Sequence, residues 1–189
     1  ILKYIKMREE SLTKFLQGTA LDSQGRLHAD ILNFSDEELE EVHDYIQWLF
    51  PLREKSMAVP GSPVVESDEI VELLRSDTEV RTNMLRALER MKRFYTDNDH
   101  WLAQGDHNHL RITRILKSLC LLGLRDEAIK LHNFILQRVE SAKPVTRESL
   151  AHWQTSISLA TPASLVIPSG SYTSSYPRNL SIPPSKNVP

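Results

Sequence analysis

The sequence predicts an all-α fold: a single compact domain of about six or seven helices, followed by a flexible Ser/Pro-rich tail. Three observations carry this. Apolar residues recur at spacings of three and four along most of the chain, the period of a helix face. Residues 64–143 contain no proline and only two glycines, Gly105 and Gly123. No segment shows sustained apolar/polar alternation or an Asn-Gly or Asp-Gly hairpin signal.

Leu2–Leu16 reads as a first helix. Ser35-Asp36-Glu37-Glu38 has the capping-box form, in which Ser35 accepts from the third helical N–H and Glu38 reaches back. Leu39, Val42, Ile46 and Leu49 follow at spacings of three, four and three, so one continuous helix is expected over 36–50. Pro51 ends it, since proline lacks a backbone donor and disfavours helical geometry before it. Glu66–Leu74 reads as a further helix.

A second box, Ser76-Asp77-Thr78-Glu79, opens a helix with Val80, Met84, Leu88, Met91 and Tyr95 on one face. Asp106 or Asn108 caps the next, where Leu110, Ile115, Leu116, Leu119 and Leu122 form a broad apolar side. Gly123 stands where a left-handed residue ends a helix. Arg125–Val139 follows at once through Ala128, Leu131, Ile135 and Val139, which predicts a tight helical hairpin. Thr146 starts a last helix through Leu150, Trp153 and Ile157.

The domain is expected to occupy residues 1–159. Six of the 10 prolines (162, 168, 177, 183, 184 and 189) and seven serines fall in 160–189, which carries only two charged residues, Arg178 and Lys186. Such a stretch buries too little apolar surface to offset its chain entropy. The formal charge of the chain is −2, and removing the tail's +2 leaves −4 on residues 1–159.

Composition excludes several classes. A slightly acidic chain is not a dedicated polyanion binder, and no partner nucleic acid is expected. No apolar run approaches the ~20 residues that cross a bilayer. One cysteine precludes an internal disulfide or a multi-cysteine zinc site. The start, Ile1-Leu2-Lys3, without an initiator Met or a signal-peptide h-region, reads as that of a fragment or processed chain.

Candidate functional residues form two clusters. His43-Asp44-Tyr45-Ile46-Gln47-Trp48-Leu49-Phe50-Pro51-Leu52-Arg53 would turn Ile46, Leu49 and Phe50 inward. On one helix it would pair His43 with Gln47, and Asp44 with Trp48, on other faces. The plainer reading is a half-buried helix whose Tyr45 and Trp48 present apolar bodies and hydrogen-bonded tips.

The second cluster is His100 to His109, with Asp106, His107 and Asn108. Imidazoles ligate metals, but His107 and His109 would splay by about 200° on a helix. Capping and pocket-rim roles are therefore expected, with no metal site. Arg111, Arg114 and Lys117 repeat every third residue beyond it. They read as an anion clamp near a helix N-terminus, or as a solvated or ion-paired face. Cys120 lies on an apolar side, where thiols are inert packing. The chain has no nucleophile elbow, phosphate-cradling loop or dinucleotide fingerprint, so no cofactor is expected.

The blocks Val42–Leu52 and His107–Leu119 closely resemble the signature segments of the opioid growth factor receptor (OGFr) conserved-domain family. Supporting similarities lie at Phe15–Gly18, Asp22–Arg26, Asp30–Leu32, Arg90–Tyr95 and Thr146–Trp153, so the resemblance spans roughly residues 12–155. The compact loop between Tyr95 and His107 is similar to that of microbial members. The resemblance implies an all-helical, non-enzymatic receptor domain. Animal members bind the peptide Met-enkephalin at the nuclear envelope and in the nucleus. It implies a cytoplasmic or nuclear location, without secretion, and at most peripheral membrane association.

Three functional readings follow. In the first, a pocket forms where 43–53 meets 100–114. His43, Tyr45, Gln47, Trp48 and Arg53, with His107, Asn108, His109, Arg111 and Arg114, take a small peptide or anionic ligand there. In the second, His43, His107 and His109 converge on a metal-assisted or acid–base centre. In the third, both blocks form a helix seam with Arg111 or Arg114 paired to Asp44 or Glu41.

Overall fold

A computed structural model describes residues 2–142 and 145–158; the expected tail at 160–189 lies outside the described residues. Among the described residues there are nine α-helices and no strand. They are α1 (Leu2–Leu16), α2 (His28–Leu32), α3 (Asp36–Glu41), α4 (Ile46–Leu49), α5 (Asp68–Ser76), α6 (Thr78–Asp97), α7 (Asn108–Leu121), α8 (Arg125–Ala142) and α9 (Arg147–Ser158). A short 3-10 turn, His100–Leu102, precedes α7.

Two long helices organise the rest. α6 takes α1, α2 and α5 against it, while α7 packs along α8 and α9. The α6 stripe behaves as its spacing requires: Val80, Met84, Leu88, Met91 and Tyr95 are all buried. So are Ala128, Leu131, Ile135 and Val139 of α8, and Trp153 and Ile157 of α9. Gly123 has φ +78°, the left-handed conformation that reverses the chain between α7 and α8 at no side-chain cost.

Three expectations fail locally, each for a physical reason. The 36–50 segment is not one helix. Its capping box forms as expected, with Ser35 Oγ accepting from the Glu38 N–H at 3.1 Å and Glu38 accepting from the Ser35 N–H. Yet α3 stops at Glu41, and Val42 is extended at φ −84°, ψ 126°. The carbonyls freed there are taken by Arg111, which supplies what continuation of the helix would have supplied. α4 restarts at Ile46 and buries Ile46, Gln47, Trp48 and Leu49. His43 and Gln47 therefore do not stack as neighbours on one helix.

Second, the cap of α6 is Asp77, not Ser76. Asp77 Oδ1 accepts from the N–H groups of Glu79 and Val80 at 2.9 and 3.0 Å, and Oδ2 accepts from Gln17 Nε2 at 2.7 Å. Ser76 instead closes α5, its hydroxyl donating to the Leu73 carbonyl. Third, Leu110 is not part of the apolar side of α7. It is 73% exposed, while Ile112, Ile115, Leu116 and Leu119 are buried.

Candidate functional site

α7 brings its residues to three different environments, set by direction around the helix. Inward from its first turn is Arg111, 5% exposed. Its Nη1 donates to the Leu39 carbonyl at 2.8 Å, and its Nη2 to the carbonyls of Glu40 and Val42 at 3.2 and 3.0 Å. The guanidinium also lies 5.4 Å from the Tyr45 ring centroid. Arg111 is therefore neither an anion clamp nor part of a solvated face: its donors are spent closing the end of α3. Arg114, half-buried one turn on, donates to the Phe50 carbonyl at 3.1 Å, beyond the end of α4. Lys117 pairs with Glu54 at 3.3 Å. The two segments do meet along a seam, but Arg111 is near Glu40 rather than Glu41 or Asp44, and Asp44 pairs with Arg26.

His109 faces a second direction, toward α9. Its Nε2 lies 2.9 Å from the Trp101 carbonyl and its Nδ1 3.0 Å from Ser149 Oγ. Trp153 closes over it, edge-on at 5.4 Å, and donates through Nε1 to the His109 carbonyl. Both ring nitrogens are engaged, so the alternative centre of His43, His107 and His109 does not assemble around it. Tyr45 and Trp48 are likewise core residues. The Tyr45 hydroxyl donates to the Leu39 carbonyl, and burial pushes its pKa up to about 12. Trp48 packs edge-on against Phe15 at 5.1 Å. Gln47 is buried beneath the 43–45 turn, where its amide in the satisfied orientation donates to the carbonyls of Asp44 and His43.

The third direction reaches the surface. His43 and His107 bring their rings to 5.2 Å. Glu40 lies beside them and is shared by several groups. Oε2 accepts from Asn108 Nδ2 at 3.0 Å, and stands 3.0 Å from His100 Nε2 and 3.7 Å from Arg111 Nη1. Oε1 faces His107 Nε2 at 3.4 Å. Burial alone would raise the Glu40 carboxyl, but hydrogen bonds from Asn108 and His100 and the charges of the two histidines outweigh it and hold it below the usual range. His107 is held below its usual value, first by burial and then by the charge of Arg111. Glu40 and Asp106 with His107 form a group whose ligand atoms lie within 4.8 Å of one another. Glu40 carried no signal in the sequence, standing in an acidic run that reads as solvated helix surface.

Arg53 belongs elsewhere. It pairs with Asp68 and lines an open cavity of about 740 Å³ with Lys55, Ser56, Met57, Val64 and Val65. An open cavity thus adjoins the 43–53 segment, but its opposite wall is 55–66 and not 100–114. Met57 on its rim is 94% exposed. Cys120 is buried, and burial pushes its thiol up, so it supplies no nucleophile.

The family model described as the opioid growth factor receptor (OGFr) conserved region matches residues 25–99 and 95–161. Among curated relatives, an opioid growth factor receptor from Rattus norvegicus is 39% identical over 148 residues, covering 66% of this chain and 25% of the relative. The Homo sapiens opioid growth factor receptor is 36% identical over 146 residues, covering 64% and 21%. An opioid growth factor receptor-like protein 1 from Mus musculus is 36% identical over 132 residues, covering 60% and 28%. The chain spans about a quarter of the length of these relatives. No solved structure matches. No described helix is long and apolar enough to cross a membrane.

Proposed function

The chain belongs to the opioid growth factor receptor conserved-region family, and from that premise we propose that it is a non-enzymatic binding domain for a small peptide. The observation that carries this reading is the cavity beside Arg53. Its volume of about 740 Å³ falls in the range of small-ligand sites, roughly 300–1,000 Å³. Its lining joins two cations, Arg53 and Lys55, to apolar Met57, Val64 and Val65. That pairing suits a short peptide: the cations meet the terminal carboxylate while an apolar side chain covers Met57 and the valines. Arg53 is already committed to exposed Asp68, so a carboxylate would exchange one ion pair for another rather than desolvate a lone charge.

Calorimetric titration of the folded chain with Met-enkephalin, and with its C-terminal amide, tests the reading. Binding of the free acid, weakened by amidation and by Arg53→Gln, is the expected result. Absence of heat from both peptides with folded protein removes the peptide reading. Binding indifferent to Arg53→Gln and to amidation moves it away from this cavity.

A further inference from the structure

We propose that Glu40, Asp106 and His107 form a binding site for a divalent transition metal, zinc being the ion their chemistry fits best, with His43 beside the open coordination position. The inference is independent of the peptide reading, since the patch lies outside the Arg53 cavity and its test contains no peptide.

The donor set has the character of a mixed nitrogen/oxygen zinc site: an imidazole and two carboxylates, with no thiolate. Tetrahedral zinc at about 2.0–2.2 Å from its ligands places them roughly 3.3–3.5 Å from one another. His107 Nε2 and Glu40 Oε1 already stand 3.4 Å apart. This spacing does not come from a hydrogen bond between them. The His107 Nε2 atom is shielded from solvent and makes none among the described residues, although it faces a carboxylate oxygen. A ring nitrogen shielded from solvent and without a hydrogen bond calls for a partner, which a bound ion would supply.

The surroundings set the orientation of the ligands. Asn108 Nδ2 and His100 Nε2 hold Glu40 through Oε2 alone, which turns Oε1 toward His107. Asp106 Oδ1 accepts from the Asn108 N–H at 2.8 Å, which fixes that carboxylate at the start of α7. These are the outer contacts that orient metal ligands and whose loss lowers affinity. The His43 ring, 5.2 Å from that of His107 and exposed, flanks the solvent side. Arg111, at 3.7 Å from Glu40 Oε2, opposes a cation, but its guanidinium is tied to three carbonyls.

The test is calorimetric titration of zinc chloride into the untagged, chelator-stripped full chain, with circular dichroism to follow the fold. The expected result is one zinc ion per chain, affinity lowered at least about tenfold by His107→Gln and by Glu40→Gln, and no change in His152→Ala, which removes an exposed histidine on α9. Cobalt(II) in place of zinc should give the visible absorption of a tetrahedral site in the wild type and lose it in His107→Gln. If Glu40→Gln fails to fold, His107→Gln and the cobalt spectrum still decide. Absence of stoichiometric binding overturns the inference, as does binding whose affinity is the same in both variants.

Discussion

Arg111 Nη1 donates to the Leu39 carbonyl at 2.8 Å, across 72 positions of sequence. The same carbonyl accepts the Tyr45 hydroxyl at 3.1 Å, and the other arm of Arg111 takes Glu40 and Val42. One side chain thus satisfies three carbonyls at the end of a six-residue helix that is too short to be stable alone. Arg90 does the same at its beginning, donating to the Phe34 carbonyl and to Asp36. α3 is held from both ends by arginines of the two organising helices.

Arg111→Ala should therefore destabilise the domain by about 3 kcal/mol or more, because it leaves buried carbonyls unpaired. Arg111→Lys should recover little, since an ammonium cannot reproduce the planar fork that reaches three acceptors. Leu110→Ala, one residue away and 73% exposed, should stay within about 0.5 kcal/mol. Urea denaturation midpoints check all three.

The capping of α6 separates what sequence pattern shows from what three-dimensional context decides. Ser76 and Asp77 are adjacent and both are good N-caps. Asp77 takes the role because it also receives Gln17 from α1. Asp77→Ala should cost about 1–2 kcal/mol, and Ser76→Ala no more than about 0.5 kcal/mol. Equal losses would return the cap to Ser76.

The same contrast explains which parts of the fold were legible. α6, α7 and α8 are long, so their apolar period accumulates over several turns and needs no partner to be recognised. The break at Val42 has no local signature, because its cause is a guanidinium on α7. The polar residues were legible as a cluster but not in their directions. His107 stands just before α7 and His109 in its first turn, so one reaches Glu40 at the surface while the other is sealed beneath Trp153. Glu40, the residue that joins the cluster, had nothing to distinguish it from Glu37, Glu38 and Glu41.

His28 makes the domain acid-sensitive. It is 1% exposed, packs against Phe15, and has an Nε2 with no hydrogen-bond partner among the described residues. Burial, with a smaller contribution from Arg86, pushes its pKa down to about 4 from 6.5. Above pH 6.5 the imidazole is neutral in both states and has no effect. Between 6.5 and 4 the unfolded chain holds more protons, so stability falls as pH falls. The loss by pH 4 should be about 2–3 kcal/mol. His28→Phe, which keeps an aromatic ring against Phe15, should flatten the slope of stability against pH across that window. An unchanged slope would place the acid sensitivity elsewhere.

α9 should behave as part of the domain rather than an appendage. Trp153 is fully buried, donates to the His109 carbonyl at 3.1 Å, and covers the His109 ring, whose Nδ1 meets Ser149. At the other end of α9, Arg125 of α8 donates to the Ile157 carbonyl at 3.0 Å. Removing α9 would expose an apolar face of α7 and α8, and strip His109 of one of its two ring partners. A chain ending at residue 145 should therefore lose cooperative unfolding, and Trp153→Ala should cost about 3–5 kcal/mol. A chain ending at residue 159 should unfold cooperatively, because it retains every one of these contacts. Calorimetric unfolding of the two truncations checks this. Equal behaviour of the 145 and 159 chains would mean that α9 contributes no net stability, and that the domain closes at α8.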